Sequence, residues 1–431
     1  MIALQLTLAV TRIVSLSQAL ESARVHQPTV RQAHATTDVY RARADEARSG
    51  LLPQLNGTAT YQRSTANFVS RPGALPKTAV TTTTGMSTTA QTSNFDTFNY
   101  FNFGLTLSQN VYDFQTPERW RASIATADAQ EATEHATSLM VELNVRTAFF
   151  TARAEKALVG VARETVDNQK RHLEQIEGFV KAGTHPEIDL AQARTNYANA
   201  RVQFITAENN YEAGKAQLNQ AMGVEGETDF DVSDDTIPAL SEEQNPLDTL
   251  VDSSIKARPE FLAMEKQIRA QELTLRASWG GYGPALGVST SLTDGGVDIS
   301  KLAWNWNLSA TATWNLFSGL NTRAQIQEAR ANMESLKAQR DALRLQVRLE
   351  VDQARLAVRA NREALSASED ALVSAREQLR LAEGRYQAGV GNSIELSDGQ
   401  LALTNAGGQR VQAEYNLATA RAQLIKALGQ R

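Results

Sequence analysis

The 431-residue chain contains no cysteine, which excludes disulfides, thiolate metal sites, a cysteine nucleophile and an acylated cysteine within these residues. It contains no run of about 20 apolar residues, so no segment reads as a membrane-spanning helix. An excess of one charge is also missing: 43 Lys+Arg stand against 48 Asp+Glu, a balance too even for a nucleic-acid binder. The five histidines (His26, His34, His135, His172, His185) are scattered, and His26 with His34 reads as a solvated helix face rather than a metal pair. With no nucleophile–base pair, no metal-ligand set and no Gly-x-x-x-x-Gly-Lys loop, neither an enzyme nor a cofactor is expected. Aromatics are only 6% of the chain, yet Trp and Phe crowd into two short windows.

Met1 to Val10 is apolar enough for a signal core, but it has no basic leader or Ala-x-Ala site, and its alternation is closer to a strand or to a peptide left by a truncated start, with a signal remnant as the other reading. Beyond it the sequence is written twice. Phe179-Val180-Lys181-Ala182-Gly183 with Ile188-Asp189-Leu190 matches Tyr386-Gln387-Ala388-Gly389 with Ile394-Glu395-Leu396 at an offset of 206, and Met222-Gly223 matches Leu428-Gly429 at the same offset. Pro28 and Pro53 match Pro259 and Pro284 at 231, while Asn110 matches Asn315 at 205, so the first copy carries a 26-residue insertion, which contains the Thr-rich stretch Thr78 to Thr97. That stretch is expected to be a loop joining two strands.

Each copy reads helix, strand, loop, strand, long helix, turn, helix. Leu320 to Glu383 has no Gly or Pro in 64 residues, and a helix of that length would span about 95 Å. Its 13 alanines and heptad-spaced leucines (Leu365, Leu372, Leu379) predict coiled-coil packing. The Ala-Gly pairs at 182–183 and 388–389 predict helix stops before returning helices. The expected layout is an N-terminal segment 1–14, a repeat 15–223 (strands about 54–64 and 99–113, turn 183–186), a connector 224–249, and a repeat 250–431 (strands about 285–293 and 301–317, turn 389–393).

The strands alternate. Leu302, Trp304, Trp306, Leu308, Ala310, Ala312, Trp314 and Leu316 oppose Asn305, Asn307, Ser309, Thr311, Thr313 and Asn315; in the first copy Phe101, Phe103, Leu105, Leu107 and Val111 oppose Asn102, Thr106, Ser108 and Asn110. A soluble half-buried sheet gives the same pattern, but its apolar face would need a cover that the long helices do not obviously supply. A barrel with a lipid-facing exterior and a wet lumen needs none. Four strands cannot close such a barrel, whose smallest forms have about eight, so copies of the chain are expected to close it together.

The ordered set of landmarks resembles the TolC-like outer-membrane efflux proteins. The carriers are the Leu51-Leu52-Pro53-Gln54-Leu55 lead-in, the Asn110-Val111-Tyr112-Asp113-Phe114 and Asn315-Leu316-Phe317-Ser318-Gly319 exits, and the Tyr386-Gln387-Ala388-Gly389-Val390-Gly391 turn. They cover about Ser15 to Gly429. The resemblance implies an α+β fold: a membrane β-barrel completed by trimerisation, with four strands per chain, continued by a long α-helical coiled-coil barrel built on the two-fold repeat. It implies a homotrimer in outer-membrane lipid that docks onto a periplasmic adaptor (membrane fusion protein) and an inner-membrane pump of RND or ABC type. Such a protein is a passive exit duct for drug efflux or type I secretion, with an equatorial girdle made from the connector and the chain ends. The other reading of the residues is a periplasmic or surface coiled-coil scaffold with a small soluble sheet.

By the same resemblance Glu395 and Asp398 line a gate at the periplasmic tip, where three copies would gather six carboxylates; the plainer reading is two first-turn acids stabilising a helix N-terminus. Asp189 and Tyr386 match a clasp that holds the tip closed, and Arg194 matches a basic residue beside it; for Tyr386, packing at a helix end is the plainer reading. Gly391 falls where the family can place a linking arginine, so that bond is not carried over.

Overall fold

The structure, a computed structural model, describes residues 12–65, 97–184, 186–388 and 390–430; Met1 to Val10, most of the Thr-rich stretch, His185 and Gly389 lie outside the described residues. In chain order the elements are β1 (Arg12–Val14), α1 (Leu16–His26), α2 (Pro28–Ser49), β2 (Gln54–Thr65), β3 (Thr97–Tyr112), α3 (Thr116–Lys181), α4 (Glu187–Met222), β4 (Phe230–Val232), a 3₁₀ turn (Ser241–Gln244), α5 (Leu247–Ala257), α6 (Pro259–Gly280), β5 (Ala285–Gly296), β6 (Ala303–Thr313), α7 (Asn321–Gln387) and α8 (Ser393–Ala427). The chain forms two compact units: one from the described parts of Met1–Thr37, Ala129–Glu265 and Ala338–Arg431, the other from Asp38–Asp128 and Lys266–Lys337. No helix among the described residues is long and apolar enough to cross a membrane.

The second unit holds a four-stranded antiparallel sheet in the order β2-β3-β5-β6. Directly paired residues share a face, so register decides whether the alternation of each strand adds up across the sheet. It does. Leu55 pairs with Leu107, Gly57 with Leu105, Leu105 with Leu292, and Leu292 with Trp306, giving one continuous apolar face. The opposite face carries Asn56, Thr58 and Thr60 on β2, Asn102, Thr106 and Ser108 on β3, Ser289 and Ser291 on β5, and Asn305, Asn307 and Ser309 on β6. The apolar face is uncovered among the described residues: Trp304 is 75% exposed, Trp306 and Leu308 60%, and Leu105 53%.

Aromatics sit towards the two ends of this face. Tyr61, Phe101, Phe103, Trp304 and Trp306 lie towards the hairpin ends, with the Tyr61 and Phe101 rings 5.1 Å apart. Near the helix ends, the Tyr112 and Phe114 rings are 4.8 Å apart and Trp279 and Tyr282 are 6.0 Å apart. Trp314 belongs to this second group and not to a strand. Its indole Nε1 donates to the Tyr282 carbonyl at 2.9 Å, because the ladder stops at the Ala285–Thr313 pair and Pro284, having no N–H, cannot extend it. Leu316 likewise lies past β6. Val111 also departs from simple alternation: a bulge between Asn110 and Tyr112 drops it from the ladder and puts Tyr112 opposite Leu286.

After β3 the chain turns directly into α3. Asp113 accepts from the backbone N–H groups of Gln115 at 2.8 Å and Thr116 at 3.3 Å, satisfying free donors at the helix start. Phe114 lies so close to Gly280 and Gly283 that a Cβ on either would come within 2.9 Å of it.

In the first unit, β1 pairs in parallel with β4. On α3 the buried Val141, Val145, Phe149 and Ala152 fall at helical spacing and pack with Leu218, Phe230 and Val232; on α7 Val347, Val351, Ala354 and Val358 pack with Leu250, Leu417 and Leu424. Glu142, almost fully buried, accepts from Arg24 at 2.8 Å and lies 3.6 Å from Arg146. Removing Arg24 would leave that buried carboxylate only the longer contact with Arg146.

Helix ends in this unit are set by glycines in the left-handed region. Gly223 has φ +71°, the Val224 N–H donates to the Asn219 carbonyl at 3.0 Å, and a Cβ at 223 would fall 2.6 Å from the Gln27 Cα. Gly160, inside α3, has no neighbour within 4 Å of such a Cβ. Gly223→Ala should therefore lower stability by about 1–3 kcal/mol, whereas Gly160→Ala should raise it by up to about 1 kcal/mol. Thermal unfolding followed by far-UV circular dichroism checks the opposite signs.

Candidate functional site at the helix turns

Four helix ends meet in the first unit. α3 stops at Gly183, whose φ is +78°, with the Thr184 N–H donating to the Phe179 carbonyl at 3.0 Å. α7 closes similarly, the Val390 and Gly391 N–H groups both donating to the Arg385 carbonyl at 3.0 Å. Gly391 is confined: a Cβ there would lie 2.9 Å from the Tyr386 backbone nitrogen. Ile176 from α3, Ala193 from α4, Leu379 and Tyr386 from α7, and Leu396 from α8 form one buried cluster. A Cβ on Gly399 would lie 3.3 Å from the Leu379 Cα, so its absence permits the close approach of α8 to α7.

Glu395 and Asp398 lie in the first two turns of α8, three residues apart and hence on one face. The Glu395 N–H donates to Asn392 Oδ1 at 2.7 Å, which caps the helix, and its carboxylate pairs with Arg385 Nε at 3.2 Å. Asp398 is exposed and has no ion-pair partner among the described residues. Arg385 was not singled out in the sequence, although its position next to the matched Tyr386 could have drawn attention to it.

Asp189 and Tyr386 are brought together electrostatically, with a third residue between them. His172, only 6% exposed, sets its ring against Tyr386 at 5.7 Å and 67°. Burial pushes the imidazole below its ordinary value of 6.5, and the Asp189 carboxylate pulls partly the other way. Burial raises the Tyr386 hydroxyl, and the same carboxylate adds to the rise. A cavity of about 230 Å³ lies here, lined by His172, Asp189, Gln192, Asn196, Ser393 and Ser397. Arg194 is not part of this group; it pairs with Glu177 at 3.3 Å, tying α4 to α3 at an exposed position.

His172 is the last member of a polar line between α3 and α8. Thr165 faces Thr404 at 3.0 Å between hydroxyls, and Gln169 donates to Gln400 at 2.8 Å. His172 then shares the cavity with Ser397. Each step of four or three along α3 matches the same step backwards on α8, as antiparallel helices require. The spacing was visible in the sequence, but the partner helix that gives it meaning was not.

The packed imidazole resists protonation. As pH falls below 6.5, the released ring takes up a proton more readily than the packed one, so the packing of these ends loses stability on acidification. Amide hydrogen exchange over residues 173–180, corrected for intrinsic rates, should accelerate between about pH 7 and pH 5 in the native protein. It should not do so in His172→Phe, which keeps a ring against Tyr386. Equal acceleration in both would contradict this.

Comparison with known proteins adds to this geometry. The family model described as "Outer membrane efflux protein" matches residues 19–224 and 250–430. The chain is 20% identical over 434 residues to the probable efflux pump outer membrane protein TtgC of Pseudomonas putida KT2440, covering 96% of this chain and 83% of that one. It is 23% identical to the pyoverdine export outer membrane protein OpmQ of Pseudomonas aeruginosa, covering 93% and 80%. With the outer membrane protein TolC of Escherichia coli K12 it shares 25% identity over 212 residues, which is 48% of this chain and 38% of TolC. Among solved structures, CusC superposes with a TM-score of 0.80 at 19% identity, covering 98% of this chain and 94% of that chain. VceC of Vibrio cholerae gives 0.76 at 18%, covering 96% of each. At these identities the structures speak for the fold.

Proposed function

The chain belongs to the outer membrane efflux protein family, and on that premise we propose that it is a passive trimeric channel-tunnel, the exit duct of a tripartite efflux or type I secretion system. It is a transport protein of the outer membrane, extending into the periplasm, and not an enzyme. The observation that carries the proposal is the open sheet, with one uncovered apolar face and two edge strands, β2 and β6, that have no outer partner among the described residues.

In lipid those edges are too costly to leave unpaired. The four strands alternate in direction, so β6 of one copy would meet β2 of the next antiparallel, the pairing used throughout the sheet. Three copies would supply twelve strands, within the size range of membrane barrels. Strands of 11 to 16 residues are long enough to cross the bilayer, since a tilted strand needs about 9–11. The aromatics towards both ends of the apolar face suit the two membrane interfaces.

The chain is read as two copies of one unit joined by a connector, 224–249, which forms a girdle with the pairing of β1 and β4. Two matched details favour the duplication. Gly223 and Gly429 both have φ +71°. The side chains of Gln27 and Arg258, each just before a helix-starting proline, donate to the carbonyls of Ala221 at 3.0 Å and Ala427 at 2.7 Å.

The meeting of four helix ends is read as the periplasmic gate. Glu395 and Asp398 from three copies would form a cation-attracting ring, with Arg385 offsetting part of the Glu395 charge. Asp189, His172 and Tyr386 act as the clasp between hairpins, and Arg194 stiffens one hairpin. The partners are an adaptor and an inner-membrane pump of RND or ABC type, a reading favoured by relatives named as efflux-pump outer membrane proteins.

In planar bilayers the detergent-purified trimer should give discrete pore currents that divalent cations block. Glu395→Ala with Asp398→Ala should keep the trimer and abolish the block. An unchanged block would contradict the gate, and a monodisperse soluble monomer in detergent-free buffer would contradict the channel.

A further inference from the structure

The middle of α7 carries an arginine stripe outside the candidate gate. Arg355, Arg359 and Arg362 follow one another at four and three residues, so their side chains line one stripe of the helix. With Val358, Glu243 and Gln244 they line a recess of about 290 Å³ against the 3₁₀ turn. The recess is several times larger than the roughly 30 Å³ share of one water molecule.

The charges in it are unequal. Glu243, the acid in the lining, is already engaged: its carboxylate accepts from Arg421 Nε at 2.9 Å and from the Leu240 N–H at 3.1 Å, and its side chain is only 7% exposed. Arg355 reaches Asp352 at 3.2 Å through one terminal nitrogen, while its Nε is shut off from solvent with no acceptor among the described residues. Arg362 has a 3.5 Å contact with Glu363 beside it. Arg359 is exposed and has no ion-pair partner among the described residues. Three guanidinium groups therefore converge on a cavity whose own carboxylate is spent, in a chain whose net charge is −5.

We propose that this recess between α7 and the 3₁₀ turn is a binding site for an oxyanion, a phosphate or carboxylate group held by Arg355, Arg359 and Arg362. Guanidinium forks match such groups two bonds at a time, and the fork of Arg359, exposed and without an ion-pair partner among the described residues, is available for one. The Gln244 amide is a further donor at the rim.

The test is calorimetric titration of the full chain, in detergent at low ionic strength, with inorganic phosphate and separately with glutarate. At least one should bind saturably and more weakly as salt is added, and which one binds assigns phosphate or carboxylate. Arg355→Gln with Arg359→Gln should weaken binding at least about tenfold, with Arg359→Lys between that variant and the native chain. Arg380→Gln, which removes an exposed guanidinium elsewhere on α7, should leave binding unchanged. The proposal is overturned if neither anion binds saturably, if the double variant binds as the native chain does, or if Arg380→Gln loses as much.

Discussion

Every backbone N–H and C=O in a strand must find a partner, and in hydrocarbon water cannot be that partner. In this chain the condition bears on the outer edges of β2 and β6. The two inner strands are satisfied on both sides, and the register that satisfies them also gathers Leu55, Leu105, Leu107, Leu292, Trp306 and Leu308 onto one face. The face proposed to enter lipid and the edges that could not stay open there belong to the same four strands. Insertion and association are therefore read as a single event, in which no chain completes its hydrogen bonding alone.

The helices answer a different need. Their buried stripes are narrow and rich in alanine and valine, so neighbouring helices approach closely and a glycine at the right place admits a backbone, as Gly399 does beside Leu379. Where the helices turn, the contacts become polar and unevenly solvated. Burial disfavours the charged form of His172 while Asp189 nearby favours it. That opposition gives the helix ends a marginal balance, whereas the core around Phe149, Leu218 and Val232 rests mainly on apolar packing. A gate belongs at a marginal place, since an element that must open cannot also be the most stable part of the fold.

Much of this was legible in the sequence because it rests on period. Alternation located the strands, the stretch free of Gly and Pro located α7, and the 206-residue offset paired Gly223 with Gly429, which share φ +71°. What was not legible depends on which residues meet. Val111 fits the alternation, but the bulge beside Tyr112 is a property of the pairing with β5. Trp314 continues the pattern of Trp304 and Trp306, yet the strand ends at Thr313 because its neighbour begins at Ala285. His172 looked like one of five scattered histidines until α8 was laid against α3, and Arg194 looked like a neighbour of the clasp until Glu177 was found within reach. Resemblance supplied Asp189 and Tyr386; the residue between them came from the packing.

The absence of cysteine allows the central claim to be tested directly. Single cysteines introduced along β2 between Asn56 and Gln62, combined with single cysteines along β6 between Asn305 and Thr311, lie on opposite edges of the sheet. Three strand spacings of about 4.8 Å separate those edges, whereas a disulfide needs Cα atoms within about 7 Å, so no bond can form inside one chain of this sheet. Oxidation of the membrane-inserted protein should therefore yield covalent dimers and trimers on denaturing gels for the pairs in register between copies. If every combination stays monomeric under conditions that oxidise a control pair on β3 and β5, the strands do not close between copies and the account is wrong.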